Sequence, residues 1–271
     1  MKTMNDIHLC QPDSCKSCGA CCGLYNYRDS SRESLVRRLK KRTHLFHKTV
    51  REEGDIKPFS ETITGMEDQE KIYDVIYCCD FLGFLDGEEN RVGCLLHPCR
   101  NSGADLRDAS FYGKELCNGH LCPSYHYITR EEKLILITIM DDWYLYGLCI
   151  TDIDFVKEYF RNLCEGIGNR LDSDKFCSST LRETMSRFFS LKMTWPFRSP
   201  KVNRFGKYWF DGSRYMISHI DYETLGCERS RFDRIFLSLT ARFNTREELR
   251  EGEEIIQKNI NEFVGHYRKK Y

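Results

Sequence analysis

A chain of 271 residues can bury one large core or two ordinary ones without a staple, and its 41% hydrophobic, 13% aromatic and 30% charged residues exclude a disordered, collagen-like or low-complexity polymer. Lys plus Arg and Asp plus Glu number 41 each, so no overall field selects nucleic acid, an anionic membrane or an acidic substrate. The unusual feature is fifteen cysteines, an odd number that intramolecular disulfides cannot consume.

Eleven of the fifteen lie before residue 123. Residues 1–13 have no apolar core of a secretory signal, and the longest apolar run, Leu134–Met140, is too short to span a bilayer. The expected location is therefore cytoplasmic and reducing, where clustered cysteines point to metal ligation rather than disulfides. Cys15, Cys18, Cys21 and Cys22 form a C-x-x-C-x-x-C-C run in which short loops bring thiols to one ion. Gly19 and Gly23 supply turns, and Lys16 or Arg28 is expected to offset thiolate charge. The adjacent pair Cys21 and Cys22 cannot point the same way unless the backbone bends. Cys10 is a weaker ligand candidate.

A capping box at Ser30-Ser31-Arg32-Glu33 opens a helix with Leu35, Val36, Leu39 and Phe46 on one stripe. Its polar face would display Arg37, Arg38, Lys40, Lys41, Arg42 and Lys48, read first as a solvated surface. Residues 72–86, a turn at Gly87–Asn90 and residues 91–96 predict an irregular hairpin that carries Cys78 and Cys79 toward Cys94. Two further constellations follow, Cys94-Leu95-Leu96-His97-Pro98-Cys99 and Cys117-Asn118-Gly119-His120-Leu121-Cys122. Each has two cysteines five apart and a histidine three after the first, a set of S and N donors suited to zinc or an iron–sulfur cluster. Cys78 and Cys79 fit either ligands or buried apolar thiols.

Thr129-Arg130-Glu131-Glu132 caps a predicted helix through Tyr146, stopped by Gly147. Helices are expected from Thr151 to near Cys164 and from Ser178 to Met193, and strands at Lys201–Phe210, Arg214–Ile220 and Ile235–Phe243. Thr245-Arg246-Glu247-Glu248 opens a terminal helix with Leu249, Ile255, Ile256, Ile260, Phe263 and Val264 inward. The expected fold is α+β, an irregular cysteine-rich metal-binding module packed with a mostly helical region and short strands. The modules divide as 1–130 and 131–271, with the boundary near Ile128–Glu131.

The CxxCxxCC of Cys15, Cys18, Cys21 and Cys22, followed by Gly93-Cys94, His97-Pro98-Cys99 and the pair Cys117 and Cys122, resembles the YkgJ-like cysteine-cluster family of zinc- or iron-chelating domains. The resemblance covers roughly residues 10–127. It implies a compact chelating module in which the early cysteines meet the later ones in space. A His-Pro step at His97-Pro98 stands where family members often carry Arg-Pro. A similar module occurs in flagellin lysine methylases.

The expected ligands are Cys15, Cys18, Cys21, Cys22, Cys94, Cys99, Cys117 and Cys122, holding an iron–sulfur cluster or zinc. Two alternatives accompany this reading: a metal-dependent redox or group-transfer enzyme, including a protein lysine methylase, and a metal-stabilised interaction module. A protein or redox partner fits all three, and no specific nucleic-acid or membrane partner is expected. No phosphate loop, dinucleotide fingerprint or His-Glu-x-x-His is present. Asp141, Asp142, Asp152 and Asp154 read as helix caps or solvated acids more simply than as catalytic groups.

Overall fold

The computed structural model describes residues 7–198, 208–211 and 214–269. In chain order, two short 3-10 turns at Ala20–Cys22 and Leu24–Asn26 lead to helices α1 (Arg32–Thr49) and α2 (Ile56–Met66), then to strands β1 (Leu82–Phe84) and β2 (Val92–Cys94). Helices α3 (Gly113–Gly119), α4 (Pro123–Tyr127), α5 (Arg130–Ile139), α6 (Trp143–Ile150), α7 (Ile153–Ile167) and α8 (Ser179–Thr194) follow. Strands β3 (Tyr208–Asp211) and β4 (Arg214–Ile217) precede α9 (Asp233–Ser238) and α10 (Arg246–Lys269). The fold is α+β and dominated by helix, with two antiparallel hairpins, β1–β2 and β3–β4. No helix is long and apolar enough to cross a membrane among the described residues.

The chain divides into two compact units, one of His8–Cys122 with Asp142–Gly147, the other mainly of Pro123–Asp141 with Leu148–Tyr271. In the first, α1 begins at Ser31, whose hydroxyl accepts the Ser34 N–H. The hairpin pairs Leu82 with Cys94 and Phe84 with Val92, as the turn at Gly87–Asn90 requires. It lies close on α1: the Phe84 N–H donates to Thr43 Oγ1 at 2.8 Å, and a Cβ at Gly83 would come within 2.6 Å of the same oxygen. Phe46, Phe59 and Phe81 pack beside Ile56, Ile63, Leu95 and Leu96, with the Phe59 and Phe81 rings stacked.

Arg42 corrects the reading of the basic helix. It is 1% exposed, lies on the same face as Leu35, Leu39 and Phe46, and donates to Glu67, to the Tyr27 hydroxyl and to the Cys79 carbonyl. Arg38 also pairs with Glu67, so two of the six cations counted toward an external face are spent inside. Helix α2 was not anticipated, although Ile56, Phe59 and Ile63 stand at the helical spacing that would have marked it.

The predicted helix through Tyr146 is two helices. α5 starts at the expected capping box and its C-cap is Met140; Asp142 then caps α6 by accepting the N–H groups of Tyr144 and Leu145. Gly147 lies inside α6 rather than ending it. Its role is close approach: a Cβ there would sit 2.3 Å from the Tyr25 hydroxyl oxygen, which donates to the Tyr144 carbonyl. Gly147→Ala is expected to lower stability by about 1–3 kcal/mol, measured by urea denaturation. The same substitution in a Tyr25→Phe background is expected to cost less, because the hydroxyl is the nearest obstacle.

The second unit packs α10 against α7 and α8, α9 against α7, and α5 against α8. Phe155, Tyr159, Phe188 and Phe189 form its aromatic centre, with the Tyr159 and Phe188 rings stacked at 3.5 Å. Asp152 caps α7 through the Phe155 N–H and also holds the buried Lys192 ammonium at 2.6 Å. Helices α8 and α10 lie where expected.

The strand expected at Ile235–Phe243 is instead α9 and its exit. Phe232, Ile235, Phe236 and Leu239 are buried at helical spacing, so the 3.6-residue stripe prevailed over β propensity. Residues 201–207 of another predicted strand lie outside the described residues, and β4 stops at Ile217. Thr129→Ala removes the acceptor for the Glu132 N–H in the α5 capping box. The expected result is a loss of about 1 kcal/mol, read as a lower urea midpoint with an unchanged slope.

Candidate metal centre

All fifteen cysteines are free thiols, and every cysteine of the candidate centre lies in the first unit. The N-terminal cysteine loop is stitched to β2. Ser17 Oγ accepts the Val92 N–H at 2.5 Å, and Gln11 donates to the Val92 carbonyl while accepting from Arg91. Within the loop the Cys18 N–H donates to the Cys10 carbonyl at 2.9 Å, which places those two residues side by side. Gly23, at φ +78°, ends the 3-10 turn that carries Cys22, and a Cβ there would fall 2.1 Å from the Tyr77 carbonyl oxygen. Gly19 serves differently: its φ is ordinary, but a Cβ would press on Leu82, Leu24 and Val92 at 3.0–3.2 Å.

The turn at Gly23 lets Cys21 and Cys22 belong to different surroundings. The Cys21 and Cys122 thiols share a hydrogen bond, and that contact, then burial, then the nearby Cys18 and Cys10 thiols hold Cys21 far up as a neutral thiol. Burial and Cys122 push Cys10 up to about 11, and burial with Cys10 and Cys122 raises Cys18. On the other side, the Cys79 N–H donates to the Cys22 carbonyl at 2.9 Å, and Cys22 and Cys94 pack against the core cluster that contains Cys79. Burial, followed by the thiols of Cys79, Cys94 and Cys117, raises Cys22 strongly. Burial pushes Cys79 up to about 12 and Cys94 up to about 11, with Cys94 adding to the first and Cys117 to the second.

Of the expected ligands, Cys18, Cys21, Cys22, Cys94, Cys117 and Cys122 each lie within electrostatic reach of at least one other. Cys15 is placed otherwise: Asp13 accepts the N–H groups of Cys15 and Lys16 in a tight turn, and the Cys15 side chain remains exposed beside Ser14. Cys99 is exposed on a short 3-10 turn whose N–H is capped by His97 Nδ1, which accounts for His97 as a structural acceptor. His120 is the exposed residue that terminates α3.

Cys10 and Cys79 join the gathered thiols from outside the expected ligand set. Neither has a spacing signal of its own; each arrives through a backbone pairing with a cysteine of the N-terminal run. Cys78 faces the Gly23 carbonyl and Asn26 and belongs to neither group.

The charge balance also differs from expectation. Lys16 is buried on Asp13 at 2.6 Å, and Arg28 is an exposed partner of Glu70. The cations that favour thiolate are Arg107, which acts on Cys94, and Arg42, which acts on Cys79. Asp105 clamps Arg107 through two hydrogen bonds at 2.8 and 2.6 Å. Asp142 and Asp152 are engaged as helix caps, in line with the structural reading of those acids.

Among the described residues no three His, Cys, Asp or Glu donors are drawn into an arrangement that holds an ion as the chain stands. The thiols are neighbours at electrostatic range rather than a closed ligand shell. Chemically the donor set is all sulfur, which suits zinc, copper(I) or an iron–sulfur cluster. Crowded, desolvated thiols repel one another when ionised, and a cation among them reverses that penalty. No family model, no characterised protein and no solved structure matches the chain.

Proposed function

We propose that this chain is a metal-binding cysteine-cluster protein, with an iron–sulfur cluster or zinc held by thiolates of the first unit. The observation that supports the reading is that thiols from separated segments, the loop at Cys10–Cys22, the approach to β1 at Cys79, β2 at Cys94, and the stretch Cys117–Cys122, lie within electrostatic reach of one another in the first unit. Ordinary core filling disperses cysteines among apolar side chains; here Cys10, Cys21 and Cys22 have other thiols as their nearest electrostatic neighbours.

Cys10, Cys18, Cys21, Cys22, Cys79, Cys94, Cys117 and Cys122 are the residues that would hold the metal. A bound centre would supply either a structural clamp, as zinc does, or one-electron redox chemistry, as an iron–sulfur cluster does. The chain's own contribution is to hold thiols near one another, to desolvate Cys10, Cys18, Cys22, Cys79 and Cys94, and to place Arg107 and Arg42 where they offset thiolate charge. Each thiol that ligates releases its proton, so loading is favoured by rising pH. This chemistry belongs in a reducing, cytoplasmic setting.

The test is anaerobic purification of the full chain, with iron, zinc and acid-labile sulfide measured on one sample alongside its visible absorption. Colour with iron and sulfide selects a cluster; a colourless protein with stoichiometric zinc selects zinc. A folded, reduced chain with neither metal, unable to take up either one, defeats the proposal.

A further inference from the structure

We infer that Cys22 and Cys79 are a disulfide-forming pair: in the metal-free chain a low-molecular-weight disulfide such as oxidised glutathione joins them within the native fold of the first unit. The inference does not depend on the metal-binding reading. It concerns two sulfurs which that reading gives to a metal, so the joined pair no longer ligates.

The pairing follows from how two segments are laced together. Residues 22–28 lie against residues 70–79 in opposite directions. The Arg28 N–H donates to the Glu70 carbonyl, Tyr27 bridges Lys71 antiparallel, the Ile72 N–H donates to the Asn26 carbonyl, and the Cys79 N–H donates to the Cys22 carbonyl at 2.9 Å. Asn26 fastens the middle of the run: its side-chain N–H groups donate to the carbonyls of Tyr73 and Ile76 at 2.9 Å, and its side-chain oxygen accepts the Tyr73 N–H. The backbones also meet at Gly23, where a Cβ would fall 2.8 Å from the Cys78 Cα. Residues facing each other in a hydrogen-bonded antiparallel pair have Cα atoms about 5.5 Å apart. A disulfide spans Cα separations of about 4.4–6.8 Å, so this approach suits Cys22 and Cys79 without backbone movement.

Side-chain direction selects the partner. Cys78 faces the Gly23 carbonyl and Asn26, whereas Cys79 belongs to the apolar cluster around Phe59, Phe81 and Leu96. Cys22 packs against that same cluster, so Cys79 rather than Cys78 shares its side. Cys94 adjoins the cluster as well, but its backbone is paired with Leu82.

Exposure orders the steps, for Cys22 is half-buried and Cys79 buried. The Cys22 thiol gives its proton to solvent and attacks one sulfur of the small disulfide, releasing one small thiolate that takes up a proton. Cys79 then loses its proton and displaces the second small thiol from the mixed disulfide. Two protein thiols and one small disulfide become one protein disulfide and two small thiols, with two electrons passed to the small molecule. A bond between segments so far apart in the chain restricts the unfolded state, so the joined form unfolds at a higher urea concentration.

The experiment treats the reduced, metal-free full chain with oxidised glutathione, blocks the remaining thiols by alkylation and maps cross-linked peptides by mass spectrometry. The expected product is a Cys22–Cys79 disulfide, with two fewer alkylated thiols than the fifteen of the reduced chain and a raised urea midpoint. In Cys79→Ser, glutathione is expected to remain as an adduct on Cys22. No intrachain disulfide, or one that joins Cys10 to Cys18 or any other pair in its place, overturns the inference. A Cys22–Cys79 bond that lowers the urea midpoint also overturns it, because the native backbone would then have had to move. Mapping of the unsubstituted chain decides the matter should the variant fail to fold. Metal uptake by the reduced chain is a separate measurement, so the failure of either reading leaves the other standing.

Discussion

Cys18→Ser and Cys94→Ser are each expected to strip about half or more of the bound metal, while Cys15→Ser and Cys99→Ser leave it unchanged. By spacing alone all four cysteines are equal, so the contrast tests the folded arrangement rather than the motif. Cys18 is tied to Cys10 through its N–H and its sulfur accepts the Ala20 N–H, so a hydroxyl there replaces a thiol in a fixed position. Cys94 ends β2 opposite Leu82 and adjoins the core cluster. Cys15 and Cys99 are exposed on turns fixed by Asp13 and His97, whose hydrogen bonds run to backbone N–H groups and survive either substitution. Metal analysis of the four purified variants checks the prediction. Equal loss from all four would return the ligand set to the one read from spacing. Because metal affinity is folding free energy in sites of this kind, the two depleted variants are also expected to unfold at lower denaturant concentration.

Arg42→Met is expected to destabilise the protein by about 3–5 kcal/mol. The guanidinium is buried, forks onto both oxygens of Glu67 at 2.9 and 2.6 Å, and donates to Tyr27 and to the Cys79 carbonyl. Removing it leaves a carboxylate that is 4% exposed with only Arg38 as an ionic partner among the described residues, and leaves the Cys79 carbonyl without its charged donor. Arg42→Lys is not expected to rescue, since one ammonium cannot serve three acceptors that lie in different directions. The Arg42→Met/Glu67→Met pair is expected to recover part of the loss, because no uncompensated charge remains. Equilibrium urea unfolding of the unsubstituted protein, Arg42→Met, Glu67→Met and the pair closes the cycle. A loss below about 1 kcal/mol for Arg42→Met would show that the cluster is hydrated rather than buried. Because Arg42 holds the Cys79 backbone, the same variant is expected to weaken metal loading at Cys79 without touching a sulfur.

Much of the helical scaffold was legible because caps and stripes are local. Ser31, Thr129, Asp152 and Thr245 each mark a start within one or two residues. What misled was information that is not local. Ile235 and Phe236 are β-formers by type and helical by burial. Gly147 reads as a stop until Tyr25, remote in sequence, is seen to require its missing side chain.

The cysteines follow the same division. The run at Cys15–Cys22 announces a centre, but membership depends on which backbone strands meet. Cys10 and Cys79 stood as weaker candidates and Cys15 and Cys99 as stronger ones because backbone pairing and exposure do not show in spacing.

The tie between the N-terminal loop and β2 has a consequence for biogenesis. Ser17 bonds to Val92, 75 residues further on, and Gln11 bonds to the same residue. Cys22 likewise finds its backbone partner only at Cys79. The loop therefore leaves the ribosome well before the strand that fixes it, and its thiols stay without that support until β2 has been made.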